Sequence, residues 1–226
     1  MTIITLANHK GGVGKTTTVM VLASIWTNQT DVAIIDFDPN KPLIEFYNNM
    51  ELKPASLHVY EYIEELSDKT PQEFIIDIEK RHSLVICDTQ GAASHINLII
   101  SCISDLVIMP ATFSKLEIDQ IMESKKLIEQ AEQLIGKTIN TKILISRSKT
   151  LASKANMQII DNINELELNL FKTQLQDRAA YATMFYKSKL LCQLDFNDCS
   201  AGALSKAHDE AQCFAMEVAN EIGGLA

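Results

Sequence analysis

A short apolar stretch, IITLA (3–7), runs straight into HKGGVGKT (9–16), and this junction limits the folds open to the chain. A glycine-rich turn between a buried strand and a helix is a phosphate cradle. Glycine lets backbone N–H groups point inward, and the helix N-terminus adds partial positive charge. The ordinary loop reads G-x-x-x-x-G-K-[ST]. Counting back from Gly14-Lys15-Thr16 places its first glycine where this chain has His9, followed by a second lysine, Lys10. Gly11, Gly12 and Gly14 still free the backbone, so the substitution leaves the cradle intact and adds a charge; His9 reads as a spacer. Gly11, Gly12, Val13, Gly14, Lys15, Thr16 and Thr17 are expected to surround a nucleotide, with Lys15 on the β- and γ-phosphates and the Thr16 hydroxyl on Mg²⁺.

Further along, VAIID (32–36), SLVICD (83–88), DLVIMP (105–110) and TKILIS (141–146) are continuous apolar runs of strand length. Helical segments are expected at 16–28, 114–135, 152–166 and 201–222. Buried runs alternating with helices predict parallel strands joined by right-handed crossovers: a three-layer α/β/α P-loop NTPase with a mostly parallel central sheet. At 226 residues, one domain spanning 1–226 is expected. Segment 51–80, with its acidic YEYIEEL, is the least regular and reads as an insertion or lid-like excursion.

Ligands in such sheets lie beyond the carboxyl ends of the strands, which gathers residues 8–16, 36–40, 88–91 and 110–114 along one edge. That edge holds three acids. Asp88 ends a buried strand, where a Mg²⁺-associated carboxylate belongs. Asp36 and Asp38, two residues apart, can face one way on an extended chain; one can hold a Mg²⁺-bound water while the other orients the attacking water. Capping of the next helix by Asp38 or Asn40 is an equally open use.

Together KGGVGKTT, DFDPN, CDTQG and VIMPATFSKLEID resemble, in order and spacing, the deviant Walker ATPases of the ParA/MinD family, and the likeness covers nearly the whole chain. It implies ATP and Mg²⁺ as ligands and an ATP-dependent homodimer. On the matching positions, Lys10 resembles the signature lysine that reaches the partner subunit's phosphates, Asp38 the acid that positions the hydrolytic water, and Asp36 and Asp88 the acids of the Mg²⁺ shell. The resemblance also places Arg147 or Ser148, in ILISRSK, near the adenine.

Within that family the tail DEAQCFAMEVANEIGGLA has no lysine or arginine, which argues against a lipid-binding amphipathic helix. No window has the length of a membrane span, and a cytoplasmic protein, free or nucleoid-associated, is the expectation. Five cysteines without C-x-x-C spacing give no shared iron–sulfur site. The short ParA-like partition ATPases and their relatives in conjugative and T-DNA transfer remain. Without an N-terminal helix-turn-helix, a separate ParB-like adaptor is expected to bind the DNA. The net charge is −9, but residues 137–190 carry nine Lys and Arg against four Asp and Glu. Arg178, Lys187 and Lys189 are the candidates for nonspecific DNA contact, with Lys149 and Lys154 behind them; a solvated basic face is the other reading. Two further functions stay open: an ATP-dependent assembly module with negligible hydrolysis, and a metabolic P-loop enzyme.

Overall fold

The computed structural model describes residues 2–8, 10–91, 95–149, 153–166 and 168–224; the expectation for His9 lies outside them. Seven strands form one sheet: β1 (Thr2–Leu6), β2 (Val32–Asp36), β3 (Leu57–Glu61), β4 (Leu84–Asp88), β5 (Leu106–Ala111), β6 (Thr141–Ser148) and β7 (Leu175–Gln176). Their order is β3-β2-β4-β1-β5-β6-β7, and every pairing between them is parallel. The crossovers are α1 (Lys15–Trp26), α2 (Pro42–Asn49), α3 (Pro71–Glu79), α4 (His95–Ile103), α5 (Lys115–Ile135) and α6 (Lys154–Glu165); α7 (Ala179–Lys187) and a closing helix α8 (Ala201–Glu221) follow β7.

Strand periodicity divides the core. Ile4, Leu6, Ile34 and Ile86 face α1, α2, α7 and α8, in a cluster with Trp26, Phe46, Met184 and Phe214. Ile3, Ala33, Ile35 and Val85 face the other way, against Ile75 and Ile78 of α3 and Ile100 of α4. Val107, Met109, Ile143 and Ile145 continue that second layer under Ile118, Ile121 and Ile163 of α5 and α6. Each such side chain contributes about 1.5–3 kcal/mol by leaving water, so both helical layers are held as firmly as the sheet.

Segment 51–80 corrects the sequence reading. It is no excursion: it supplies edge strand β3, paired with β2 from Val32↔Leu57 to Asp36↔Glu61, and helix α3. The LHVYE strand is only partly buried, so it lacks the continuous apolar run that marks a central parallel strand. Helix α3 carries its own start signal, a capping box in which Thr70 Oγ1 accepts from Glu73 N while Glu73 Oε2 accepts from Thr70 N, with Pro71 opening the first turn.

The parallel register decides what meets at the carboxyl edge. Leu6 pairs with Asp88 and Asp36 pairs with Asp88, so the loops after β1, β2 and β4 leave side by side.

Candidate functional site

The loop after β1 turns tightly into α1. Gly12 has φ 78° and Gly14, the residue before the helix, has φ 94°, a left-handed conformation that favours glycine at both points. The loop is braced from outside. Val13 is buried, and its carbonyl accepts from Ser146 Oγ at 2.5 Å. The Gly12 carbonyl accepts from Arg147 Nη1 at 2.8 Å, with Arg147 itself at φ 50°. Opposite them, a Cβ on Gly91 would lie 2.9 Å from the Cα and N of Gly11. Only glycine fits there, and the β4 loop therefore rides directly on the phosphate loop.

Lys15 is 7% exposed at the start of α1. Its Nζ donates to the carbonyls of Asn8 and Lys10 at 3.2 and 3.0 Å, which draws it back over its own loop. Burial lowers its pKa, opposed by the charges of Asp88 and Asp38. Asn8 is a residue the sequence reading missed. Its Nδ2 donates to Pro110 O at 2.6 Å and its Oδ1 accepts from Lys10 N at 2.9 Å, tying the loop to the end of β5.

The three acids sit in different environments. Asp88 is 1% exposed; its Oδ2 accepts from Thr16 Oγ1 at 2.8 Å, while its Oδ1 is buried with no hydrogen-bond partner. Burial raises its pKa to about 7. Asp36 is fully buried, and its oxygens accept from the N–H groups of Asp38 (3.1 Å), Leu43 (2.9 Å) and Ile44 (3.3 Å). It thereby anchors the N-terminus of α2, a use the sequence reading did not anticipate for it; burial raises its pKa despite those bonds. Asp38 is half-buried, and its Oδ1 accepts from both the backbone N and Nδ2 of Asn40. The two carboxylates of DFDPN thus divide the work of shaping the turn.

An unsatisfied buried carboxylate oxygen beside a hydroxyl, at a helix N-terminus, is the hard-oxygen environment that Mg²⁺ takes up. The residues present therefore fit the ion.

Lys10 extends from the loop and is 43% exposed, yet its Nζ lies 2.6 Å from Oε1 of Glu117, whose side chain is only 3% exposed. Glu117 Oε2 accepts from Thr112 N at 2.6 Å. The lysine bond lowers the Glu117 pKa against the burial that opposes it. Glu117 was missed as well. Its signal is a lone acid on the buried stripe Glu117–Ile121–Ser124–Ile128 of α5, spaced 4, 3 and 4 residues apart.

On the far side of the loop, a cleft of about 130 Å³ is lined by Gly14, Thr17, Arg147, Gln176, Asp177 and Arg178, among others. Arg147 is among its lining residues, and Ser148, paired with Gln176 between β6 and β7, is not. Gln176 and Asp177 are additions the sequence reading lacked, since β7 is two residues long.

The basic candidates separate. Arg178 donates from Nε and Nη2 to Glu210 Oε2 at 3.0 and 2.7 Å, and Lys189 Nζ lies 2.7 Å from Asp198 Oδ2. Two of the three residues singled out for DNA are therefore committed to internal carboxylates. Lys187 is exposed on the last turn of α7, as are Lys149 and Lys154 beyond β6.

The chain as a whole is similar to known proteins. A protein named ParA from Rhizobium radiobacter is 26% identical over 227 residues, covering 98% of each chain. A virC1 protein from Rhizobium rhizogenes is 23% identical over 187 residues, 81% of this chain and 80% of that one. Among solved structures, apo McdA from Cyanothece superposes with a TM-score of 0.73 at 18% identity, covering 96% of this chain and 99% of that one. A plasmid partition protein from Borrelia burgdorferi bound to AMPPNP gives 0.69 at 14% identity, over the same shares. Those structures share the fold, that of ParA-type P-loop ATPases. The model of the VirC1 protein family matches residues 1–225, and the chain belongs to that family.

Proposed function

We propose that this chain is a Mg²⁺-dependent ATPase working as a nucleotide-controlled dimeric switch in the partition or transfer of plasmid or mobile-element DNA, with residues 1–226 as one domain. One observation carries the nucleotide assignment: the Thr16–Asp88 bond at the start of α1, with Asp88 Oδ1 buried and unpartnered. Thr16 and Asp88 would hold Mg²⁺, which when bound neutralises charge between the β- and γ-phosphates. Asp36, its oxygens taken by backbone, would reach the metal's shell only through water. Gly11–Thr17 cradle the phosphates and Lys15 swings from the Asn8 and Lys10 carbonyls onto them. Asp38, held by its turn with Asn40, positions the attacking water. Arg147, Gln176 and Asp177 line the nucleoside end of the site.

Lys10 is the part that one subunit cannot use on itself. Exposed at the outer lip of the loop, it is parked on Glu117 and would cross to a second subunit's phosphates when two ATP-bound copies meet. Hydrolysis then depends on association. A ParB-like adaptor supplies DNA specificity, and the cytoplasm supplies ATP; among the described residues no helix is long and apolar enough to cross a membrane.

The test is sedimentation and ATP turnover with and without Mg-ATP. Asp38→Ala should hold an ATP-bound dimer with turnover reduced about 10²-fold or more, and Lys10→Ala should stay monomeric. Glu117→Gln frees Lys10 from a charge-assisted bond, so the ATP-dependent dimer should form at about tenfold lower protein concentration. A wild type that stays monomeric with Mg-ATP, with both loop variants indistinguishable from it, would sink the mechanism.

A further inference from the structure

At the amino edge of the sheet, opposite the nucleotide, three adjacent strands bring together two histidines and a carboxylate. Asp31 immediately precedes β2, His58 is the second residue of β3, and His82 lies two residues before β4. Their distances in sequence hide them; the strand order β3-β2-β4 is what assembles them. Asp31 Oδ2 lies 2.5 Å from His82 Nδ1, and Asp31 Oδ1 lies 3.0 Å from His58 Nε2. The two imidazole rings meet at a 40° tilt with centroids 4.5 Å apart, and one potential ligand atom from each of the three residues falls within 4.8 Å of the others.

We propose that Asp31, His58 and His82 form a site for a divalent transition-metal ion, zinc foremost. Two imidazole nitrogens and one carboxylate are the donor set of open zinc sites, with the remaining positions filled by water on the solvent side. His82 is oriented for this. It is 7% exposed, and its Nε2 is hydrogen-bonded at 2.8 Å to the hydroxyl of Tyr60, so Nδ1 faces Asp31 and His58. Metal-bound histidines are regularly held this way through the nitrogen that does not bind. Arg81 lies over the Tyr60 ring at 5.5 Å and keeps that tyrosine in place. His58 and Asp31 are each about one-third exposed, which gives the ion an entry path and leaves His58 free to rotate onto it.

In the empty site both inward nitrogens donate to the Asp31 carboxylate. Metal binding takes the other neutral tautomers, with the His82 proton on Nε2, donated to the Tyr60 hydroxyl, and the His58 proton on Nδ1, so both inward lone pairs are freed with no net loss of protons. The site also differs in kind from the Mg²⁺ position. That one offers a hydroxyl and a carboxylate oxygen, which suit a hard ion; this one offers nitrogen. The five residue-to-residue steps from Asp31 to Asp36 separate the two edges by about 16 Å. An ion here would pin the entry ends of β2, β3 and β4 together, and so fix edge strand β3, the least buried of the central elements.

Titration calorimetry of the tag-free full chain with ZnCl₂, at pH 7.5 in excess Mg²⁺, tests this, paired with Co²⁺ absorption spectra. One ion should bind per chain. His58→Ala, which removes a partly exposed ring outside the core, and Asp31→Asn should each weaken binding by about 10- to 100-fold. Absence of binding at about 100 μM metal, equal binding by both variants, or a Co²⁺ spectrum with thiolate charge transfer would each overturn the assignment.

Discussion

Charged groups at the nucleotide edge and those in the C-terminal basic region are arranged in opposite ways. Lys15 and Asp88 are both buried, but Lys15 is bonded to backbone carbonyls and Asp88 keeps one oxygen without a partner. In the basic region three cations meet carboxylates, Lys142 with Glu221, Arg178 with Glu210 and Lys189 with Asp198, while Lys187 stays exposed. Residues 191–226 carry six Asp and Glu against one Lys, so the acidic tail folds as α8 and neighbouring turns onto the very segment whose charge it offsets. Under-partnered buried charge is costly alone and becomes favourable when a ligand of opposite sign arrives. Fully partnered charge is structure, with little left for a ligand. The two patterns therefore distinguish a binding edge from a packed one.

Breaking a pair in the basic region has the largest expected effect. Glu210 holds Arg178 through Oε2, and Oε1 accepts from Gln176 N and the Tyr181 hydroxyl, both at 2.9 Å. Glu210→Ala removes the carboxylate partner of the Arg178 guanidinium and an acceptor shared by Gln176 N and the Tyr181 hydroxyl, and should cost about 3 kcal/mol, a fall of roughly 6–12 °C in Tm by calorimetry. An unchanged Tm would mean that Arg178 is not committed internally, and would return it to the DNA candidates.

The converse substitution at the nucleotide edge should stabilise. Asp88 has its pKa raised from 3.8 to about 7 by burial, so the native state holds its proton more tightly than the unfolded chain does. For a carboxyl raised in this way, stability declines as pH rises from about 4 to about 7 and stays lower above that. Asp88→Asn removes the penalty while keeping an acceptor for Thr16. The nucleotide-free protein should gain several degrees in Tm at pH 8 and progressively less toward pH 5, and should lose the further gain that Mg-ATP gives the wild type. A variant less stable than wild type at pH 8 would show that Asp88 is not strained in the empty site.

These contrasts also explain what the sequence disclosed. The loop glycines, Lys10, Lys15, Thr16 and the three acids lie in short motifs whose spacing is set by local geometry, and the strands β1, β2, β4, β5 and β6 are continuous apolar runs. Glu117, Asn8 and Glu210 act across 107, 102 and 32 residues, through partners that only the strand order and helix packing bring near. Edge strand β3 and short β7 were hidden because half-buried strands carry mixed rather than apolar sequence. Counting charge along the chain located the basic region correctly but could not show that the acidic tail lies against it.

The smallest effect concerns what remains of that region. With Arg178 and Lys189 paired, the exposed Lys187, Lys149 and Lys154 are left to meet phosphate. Each such contact contributes about 0.9 to the salt slope of binding. Lys187→Glu should therefore weaken nonspecific duplex binding of the Mg-ATP form only a few-fold, measured by anisotropy at low salt, and should lower the slope by about one. Adding Lys149→Glu and Lys154→Glu should lower it by about two more, whereas Lys189→Gln should leave it unchanged. If Lys189→Gln alone abolishes binding, the Asp198 pair opens on DNA and the packed region is a binding edge after all. If the triple variant binds as the wild type does, DNA reaches this protein only through its adaptor.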